Sequence, residues 1–110
     1  MRKTQGRGVT RLRLSEDAEA DLRLIFWQGL EMFGARQTET YISGLEDQLQ
    51  QLLLFPDTGR LHTDIQPPVR VQPYGAHVII YEHIDDIVAV LRIRSAREDW
   101  TASPLGSDWP

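Results

Sequence analysis

Apolar and polar positions alternate along this chain in two different rhythms. Val9 to Leu14 (V-T-R-L-R-L) repeats every two residues, which puts Leu12 and Leu14 on one face of a half-buried strand and Arg11 and Arg13 on the other. From Ala18 the apolar positions run through Leu22, Ile25, Phe26, Leu30 and Phe33, the 3.6-residue period of an amphipathic helix, and stop at Gly34. Ser15 stands at the N-cap position, with Glu16, Asp17 and Glu19 in the first turn, where carboxylates meet unpaired N–H groups and the positive end of the helix dipole. A second helical run, Tyr41, Ile42, Leu45, Leu49, Leu52 and Leu53, is closed by Pro56 and the Asp57-Thr58-Gly59 turn. The pattern predicts two helices, at about 16–33 and 35–55, folded back on each other at Gly34 as an antiparallel hairpin.

Beyond Pro67-Pro68 the period returns to two. Val69 to Tyr74, Ala76 to His83 and Asp86 to Arg94 read as three short strands, separated by Gly75 and by the turn at Ile84-Asp85. In the last of them Ile87, Ala89, Leu91 and Ile93 make an apolar face, and Val88, Val90, Arg92 and Arg94 make the other. The expected architecture is α+β in two layers, β-α-α-β-β-β, with the helical hairpin packed on one face of a mainly antiparallel four-stranded sheet. It occupies residues 9–99, between a basic N-terminal extension at 1–8 and a C-terminal tail at 100–110 that holds Trp100 and Trp109.

Composition narrows the class. A chain of 110 residues with 41% apolar and 25% charged residues has the makeup of one soluble domain. Cysteine is absent, which excludes disulfides, thiolate nucleophiles and thiolate-held metals. No apolar run approaches the roughly 20 residues of a membrane span, and the basic start is not followed by the apolar stretch of a secretory signal. The expected location is therefore cytoplasmic, with no membrane partner. Charge is segregated: residues 1–15 carry five basic groups and no acid, residues 16–66 three basic and ten acidic, and residues 67–110 four basic and six acidic. A net charge of −4 argues against non-specific nucleic-acid binding as the main activity, because backbone affinity comes from neutralising phosphates.

Candidate chemistry gathers on the sheet face expected to lie away from the helices. Arg70, His77, Ile79, Tyr81, Val88, Val90, Arg92 and Arg94 fall there by parity, with Arg11 and Arg13 on the same side. An apolar face of this size does not stay bare in water. Either Trp100 folds back over the valines while the arginines pair with Glu82, Glu98 and Asp99, or a partner covers it; the guanidinium fork suits acidic peptides and phosphates alike. His62, His77 and His83 do not have metal-ligand spacing, so no metal is expected. Nucleophile elbows and glycine-rich phosphate loops are also missing, and no catalytic residue or cofactor is assigned. The one chemistry the face supports is metal-free RNA cleavage, with Arg70, Arg92 and Arg94 as phosphate clamps beside His77 and Tyr81.

The series Leu14-Ser15, Ala18-Glu19-x-Asp21-Leu22-x-x-Ile25-Phe26, Phe33-Gly34-x-x-Gln37, Tyr41-x-x-x-Leu45 and Pro56-x-x-Gly59-Arg60 resembles the helical hairpin of ParE toxins, in the ParE/RelE superfamily. Arg70, Gly75-x-His77-Val78-Ile79-x-Tyr81, Val90 to Ile93 and Arg97-x-Asp99 continue the resemblance over residues 12–99. It implies the toxin of a type II toxin–antitoxin pair, which binds and poisons DNA gyrase without catalysis, does not bind specific nucleic acid on its own, and is neutralised by a ParD-like antitoxin. On this reading Arg92, Arg94, Arg97 and Trp100 are expected to contact the target, and Trp27, Tyr41, Ile79, Val88 and Arg70 the antitoxin. The alternatives are a RelE-like ribosome-dependent mRNA endonuclease and an inactive antitoxin-binding homologue. Arg94-Ser95 stands where the family often carries Leu-His, a departure that weighs against the nuclease.

Overall fold

The computed structural model describes residues 10–105; the expected basic extension at 1–8, Val9 and the end of the tail with Trp109 lie outside the described residues. The elements run β1 (Arg11–Leu14), α1 (Glu16–Leu54), β2 (Arg60–His62), β3 (Val69–Tyr74), β4 (His77–Ile84) and β5 (Ile87–Ser95). They form one sheet in the order β1-β5-β4-β3-β2, in which β1 is parallel to β5 and the other pairings are antiparallel. The class is α+β as expected, with five strands in place of four.

Ser15 turns the chain from β1 into α1. Its backbone is extended (φ −65°, ψ 163°) and its hydroxyl oxygen accepts the Ala18 N–H at 2.9 Å. The same hydroxyl donates to the Leu91 carbonyl at 2.7 Å, which pins the start of the helix to β5. Helical structure is continuous in assignment from Glu16 to Leu54, so the two predicted helices are one element, but Gly34 inside it has φ 84° and ψ 173°. That conformation is open to glycine and strained for side chains, and it breaks the i to i−4 ladder. Gly29 and Thr38 then lie against each other: a Cβ on Gly29 would sit 2.8 Å from Thr38 Oγ1, whereas nine residues of straight helix would separate the pair by about 13 Å. The helical element is thus a hairpin of two arms, residues 16–33 and 35–54.

Its inner face covers the sheet. Ala18, Leu45, Leu49 and Leu52 pack on Ile79, Tyr81, Val88, Val90 and Ile93, with Leu12, Leu14, Leu22 and Ile25 at the margin. This reverses the expected facing of the first half of β5, while Ile93 lies under the hairpin as expected. Val88, Val90 and Ile79, predicted on the open face, are fully buried beneath the hairpin, and Leu91, predicted under the helices, joins the opposite cluster. A bulge separates the two halves. Tyr81 pairs with Val90 and Ile80 with Arg92, which leaves Leu91 without a partner on β4 and shifts the parity of everything after it. Arg11 and Arg13 are likewise not beside Val88 and Val90: Leu12 and Leu14 pair with those valines and turn inward, and the arginines are exposed.

The outer face is covered by the chain itself. Val69, Val71, Val78 and Ile80 form a second buried cluster under Ile65, Leu91 and Trp100. Trp100 also meets the His62 ring edge-on at 5.4 Å. The tail therefore does fold back over valines, though over those of β3 and β4. The added strand, β2, pairs with β3 through Arg60, Leu61 and His62, a span too short to show a period in sequence.

Candidate partner-binding site

Two adjoining grooves run between the helical hairpin and the end of the sheet where β4 begins and β5 finishes. The first, of ≈ 430 Å³, is lined by Ile25, Met32, Phe33 and Ile42, by Thr38, Tyr41 and His77, which we call its floor, and by Arg97. The second, of ≈ 310 Å³, shares Ile25, Gln28, His77 and Ser95 with it and is polar, lined by Asp21, Arg92, Arg94 and Glu98. On the hairpin, Leu24 (56% exposed), Trp27 (62%), Met32 (71%) and Phe33 (56%) stay in solvent, Met32 and Phe33 in the lining of the first groove and Leu24 in that of the second. Trp27 stands edge-on to Phe26 at 5.6 Å.

The floor is fixed by tyrosines. Tyr41 Oη lies 2.7 Å from His77 Nδ1, accepts the Ala76 N–H at 3.0 Å and is 3.1 Å from the Tyr74 carbonyl. Tyr74 returns a hydrogen bond to the Tyr41 carbonyl at 3.3 Å, and the two rings meet at 5.1 Å. Burial holds the His77 imidazole below its ordinary pKa against the opposing pull of Asp21 and Glu98. Burial likewise raises the Tyr41 phenol, with the Ala76 N–H opposing.

The arginines of the polar groove are engaged. Arg92 gives Nε to Asp21 Oδ2 at 2.7 Å and Nη2 to Oδ1 at 2.9 Å, a paired carboxylate contact, and Nη1 to the Leu105 carbonyl. Asp21 Oδ2 also accepts the Ile93 N–H at 2.9 Å, where β5 runs on past the end of β1. Arg94 gives Nε to Glu98 Oε1 at 2.8 Å and Nη1 to the carbonyls of Ser103 and Pro104 at 2.9 and 3.0 Å. The Arg94 guanidinium, followed by burial, sets the Glu98 carboxyl: the hydrogen bond wins and its pKa is lowered.

At the base of the hairpin a separate cluster closes the 56–59 turn. Tyr81, fully buried, donates to the Pro56 carbonyl at 2.7 Å and accepts the Gly59 N–H at 2.9 Å. Arg70 donates to the Gly59 carbonyl at 2.8 Å and lies 3.4 Å from the Asp57 carboxylate, which His83 Nδ1 meets at 2.8 Å. That His83 hydrogen bond, more than the Arg70 charge, holds the Asp57 carboxyl below its ordinary value.

Among the residues expected to meet the target, Arg92, Arg94 and Arg97 do line these grooves, while Trp100 is half-buried on the other face of the sheet. Among those expected to meet an antitoxin, Trp27 is exposed and Tyr41 lines the groove. Ile79 and Val88 offer no surface, both being wholly buried in the core, and Arg70 is taken up by the 56–59 turn. Arg70 also fails to join Arg92 and Arg94 in one constellation: it is bound to the turn, and they are bound to Asp21, Glu98 and the tail. Sequence reading gave Asp21 no role in the site. The available signal was its place three residues after Ala18 and four before Ile25, on the stripe that faces the sheet. Among the described residues no group of three or more His, Asp or Glu is placed to hold a metal, and no helix is long and apolar enough to cross a membrane.

The family described as the ParE toxin of the type II toxin–antitoxin system parDE matches residues 12–100. A solved structure described as the chromosomal ParDE TA system from P. aeruginosa superimposes with a TM-score of 0.68 at 18% identity, over 80% of this chain and 97% of that one. No curated protein matches the chain. With most of its length inside the family pattern and the same fold in a solved relative, the chain belongs to the ParE family of toxins of type II toxin–antitoxin systems.

Proposed function

We propose that this ParE-type toxin arrests growth in the cytoplasm by binding and poisoning DNA gyrase, and that a ParD-like antitoxin neutralises it by filling the hairpin groove. The observation that carries the reading is the character of the two grooves. An apolar cleft lined in part by exposed Met32 and Phe33, on a hairpin that also exposes Leu24 and Trp27, fits a partner's amphipathic segment, the mode in which a helix or extended peptide lays its apolar side chains into a groove. Action by binding rather than by phosphodiester cleavage is supported by the arginines, because Arg92 and Arg94 already face the carboxylates of Asp21 and Glu98 and so add little net positive charge for a scissile phosphate. His77, the imidazole nearest to them, is half-buried against Tyr41.

The test is induction of the toxin alone in bacteria, followed within one generation. Gyrase poisoning predicts a DNA-damage response while labelled amino-acid incorporation continues. Prompt translation arrest with cut mRNA would replace this reading by the ribosome-dependent nuclease, and no effect on growth would leave an antitoxin-binding module.

A further inference from the structure

We infer that Arg92 and Arg94 are positioning residues: they clamp the C-terminal segment beside the groove, and they serve target binding through that segment rather than by touching the target. The inference rests on the proposed action on gyrase for its functional half, and on geometry for the clamp.

The segment after β5 has little regular structure of its own. Ala96 N–H still bonds to the Ala76 carbonyl at 2.9 Å, and after it the backbone hydrogen bonds are single turns, Glu98 N–H to Ser95 O at 3.3 Å, Trp100 N–H to Glu98 O at 2.9 Å and Ser103 N–H to Trp100 O at 3.2 Å. Beyond Ala96, side chains hold it to the folded body. Trp100 lies on the outer valine cluster, Arg94 gathers the Ser103 and Pro104 carbonyls, and Arg92 takes the Leu105 carbonyl. Arg92 is itself fixed from behind by Asp21 of the helical hairpin, and Arg94 also grips Glu98 within the segment, the two side chains being only 18% and 10% exposed. Each thus spends one edge of its fork on a carboxylate and keeps another N–H for backbone carbonyls. A planar fork does this and a lysine ammonium does not do it in the same geometry.

The consequence is an ordered surface at the mouth of the groove. Arg97 and Leu105, both exposed, are presented at either end of the clamped segment, one of them lining the apolar groove. An ordered contact surface loses less conformational freedom on binding than a loose one, so clamping it strengthens association without adding a contact.

The experiment uses the full chain with Arg94→Lys, and separately Arg92→Lys, which keep the charge and remove the fork. Hydrogen exchange across residues 96–105 and gyrase-dependent accumulation of cleaved plasmid are measured on the same samples, and protection of α1 serves as the check on folding. The expected result is exchange about tenfold faster in the segment, unchanged protection of α1, and cleavage reduced about tenfold. Should Arg92→Lys unfold the chain through Asp21, Arg94→Lys decides the matter alone. Unchanged exchange in the segment overturns the clamp, and a loosened segment with wild-type cleavage overturns its role in target binding. A wild-type chain that never causes cleavage overturns the gyrase reading instead, while the exchange data still decide the clamp.

Discussion

Asp21 and Arg92 join the helical hairpin to the far end of β5 through two hydrogen bonds of 2.7 and 2.9 Å, with side chains only 12% and 18% exposed. Asp21 also closes the open edge of β5 by accepting the Ile93 N–H. Replacing Asp21 by Ala strands a largely buried guanidinium and a backbone donor together. The expected loss is about 2–4 kcal/mol of unfolding free energy, read from urea melts. Replacing both residues by Ala is expected to cost less than the two single losses added together, because the second change removes the charge that the first left unpaired.

The hairpin closes on Gly29 and Thr38, and there the packing carries a flaw. Thr38 Oγ1 is buried with no hydrogen-bond partner among the described residues. Thr38→Val keeps the shape and removes the unsatisfied oxygen, and is expected to stabilise the chain by about 1 kcal/mol. Gly29→Ala should act the other way by about 1–3 kcal/mol, since its methyl would lie 2.8 Å from Thr38 Oγ1 and 2.9 Å from Cγ2. Thr38→Ala in the same chain removes both clashing atoms and should restore most of that loss.

How far the sequence reveals this fold can be judged on β5 and β2. Ser15, Gly34, Gly75 and the strand limits at Val69 and Tyr74 are local signals, and the structure uses each of them where the sequence has it. The facing of β5 is not local. Its two faces are both apolar until Leu91, and the bulge that separates its two halves depends on pairing with β4 rather than on any residue of β5. The three residues of β2 acquire their conformation by pairing with Val69, Arg70 and Val71. At the candidate site Trp27, Tyr41 and the groove arginines were readable as residue types of binding surfaces. That Arg94 pairs with Glu98, four residues on, was within reach of the sequence, whereas the hold on Arg92 depends on Asp21 arriving from the helical hairpin.

His77 gives the protein a stability change near neutral pH. Its folded pKa lies below the ordinary 6.5, chiefly because burial disfavours the imidazolium. The unfolded chain therefore takes up the proton first, and this contribution to stability is present above pH 6.5 and is lost as pH falls toward the folded value. Urea melts at pH 7.5 and 5.5 should show a drop for the wild type and a smaller one for His77→Gln. Equal drops in the two chains would assign the effect to another group.

Asp57 acts at lower pH. Its carboxyl is held below its ordinary 3.8, first by the His83 hydrogen bond, so its contribution is present above that value and disappears as pH falls through the folded value. Asp57→Asn should lower stability slightly at neutral pH and leave it unchanged at the acid end, so that the acid limb below pH 4 flattens by the same small amount, because Asp57 is solvent-exposed and its pair is screened.

The exposed hairpin surface should carry antitoxin affinity without carrying stability. Trp27→Ser and Met32→Ser remove side chains that are 62% and 71% exposed, so the melting temperature is expected to move little. Antitoxin binding, measured by calorimetry, should weaken by about tenfold or more for Trp27→Ser. Ile79 and Val88 show the opposite pattern: being wholly buried, they should affect binding only through loss of the fold.

The central claim is that this toxin acts by holding gyrase on cleaved DNA, and the most direct measurement is a cleavage assay with purified components. Gyrase, supercoiled plasmid and the toxin are incubated, denaturant is added, and linear DNA is quantified with and without a ParD-like antitoxin. The account predicts linear DNA that rises with toxin concentration, depends on gyrase, and disappears when the antitoxin is present in excess. Plasmid that stays supercoiled at every toxin concentration, while the same preparation cuts mRNA on translating ribosomes, would contradict it.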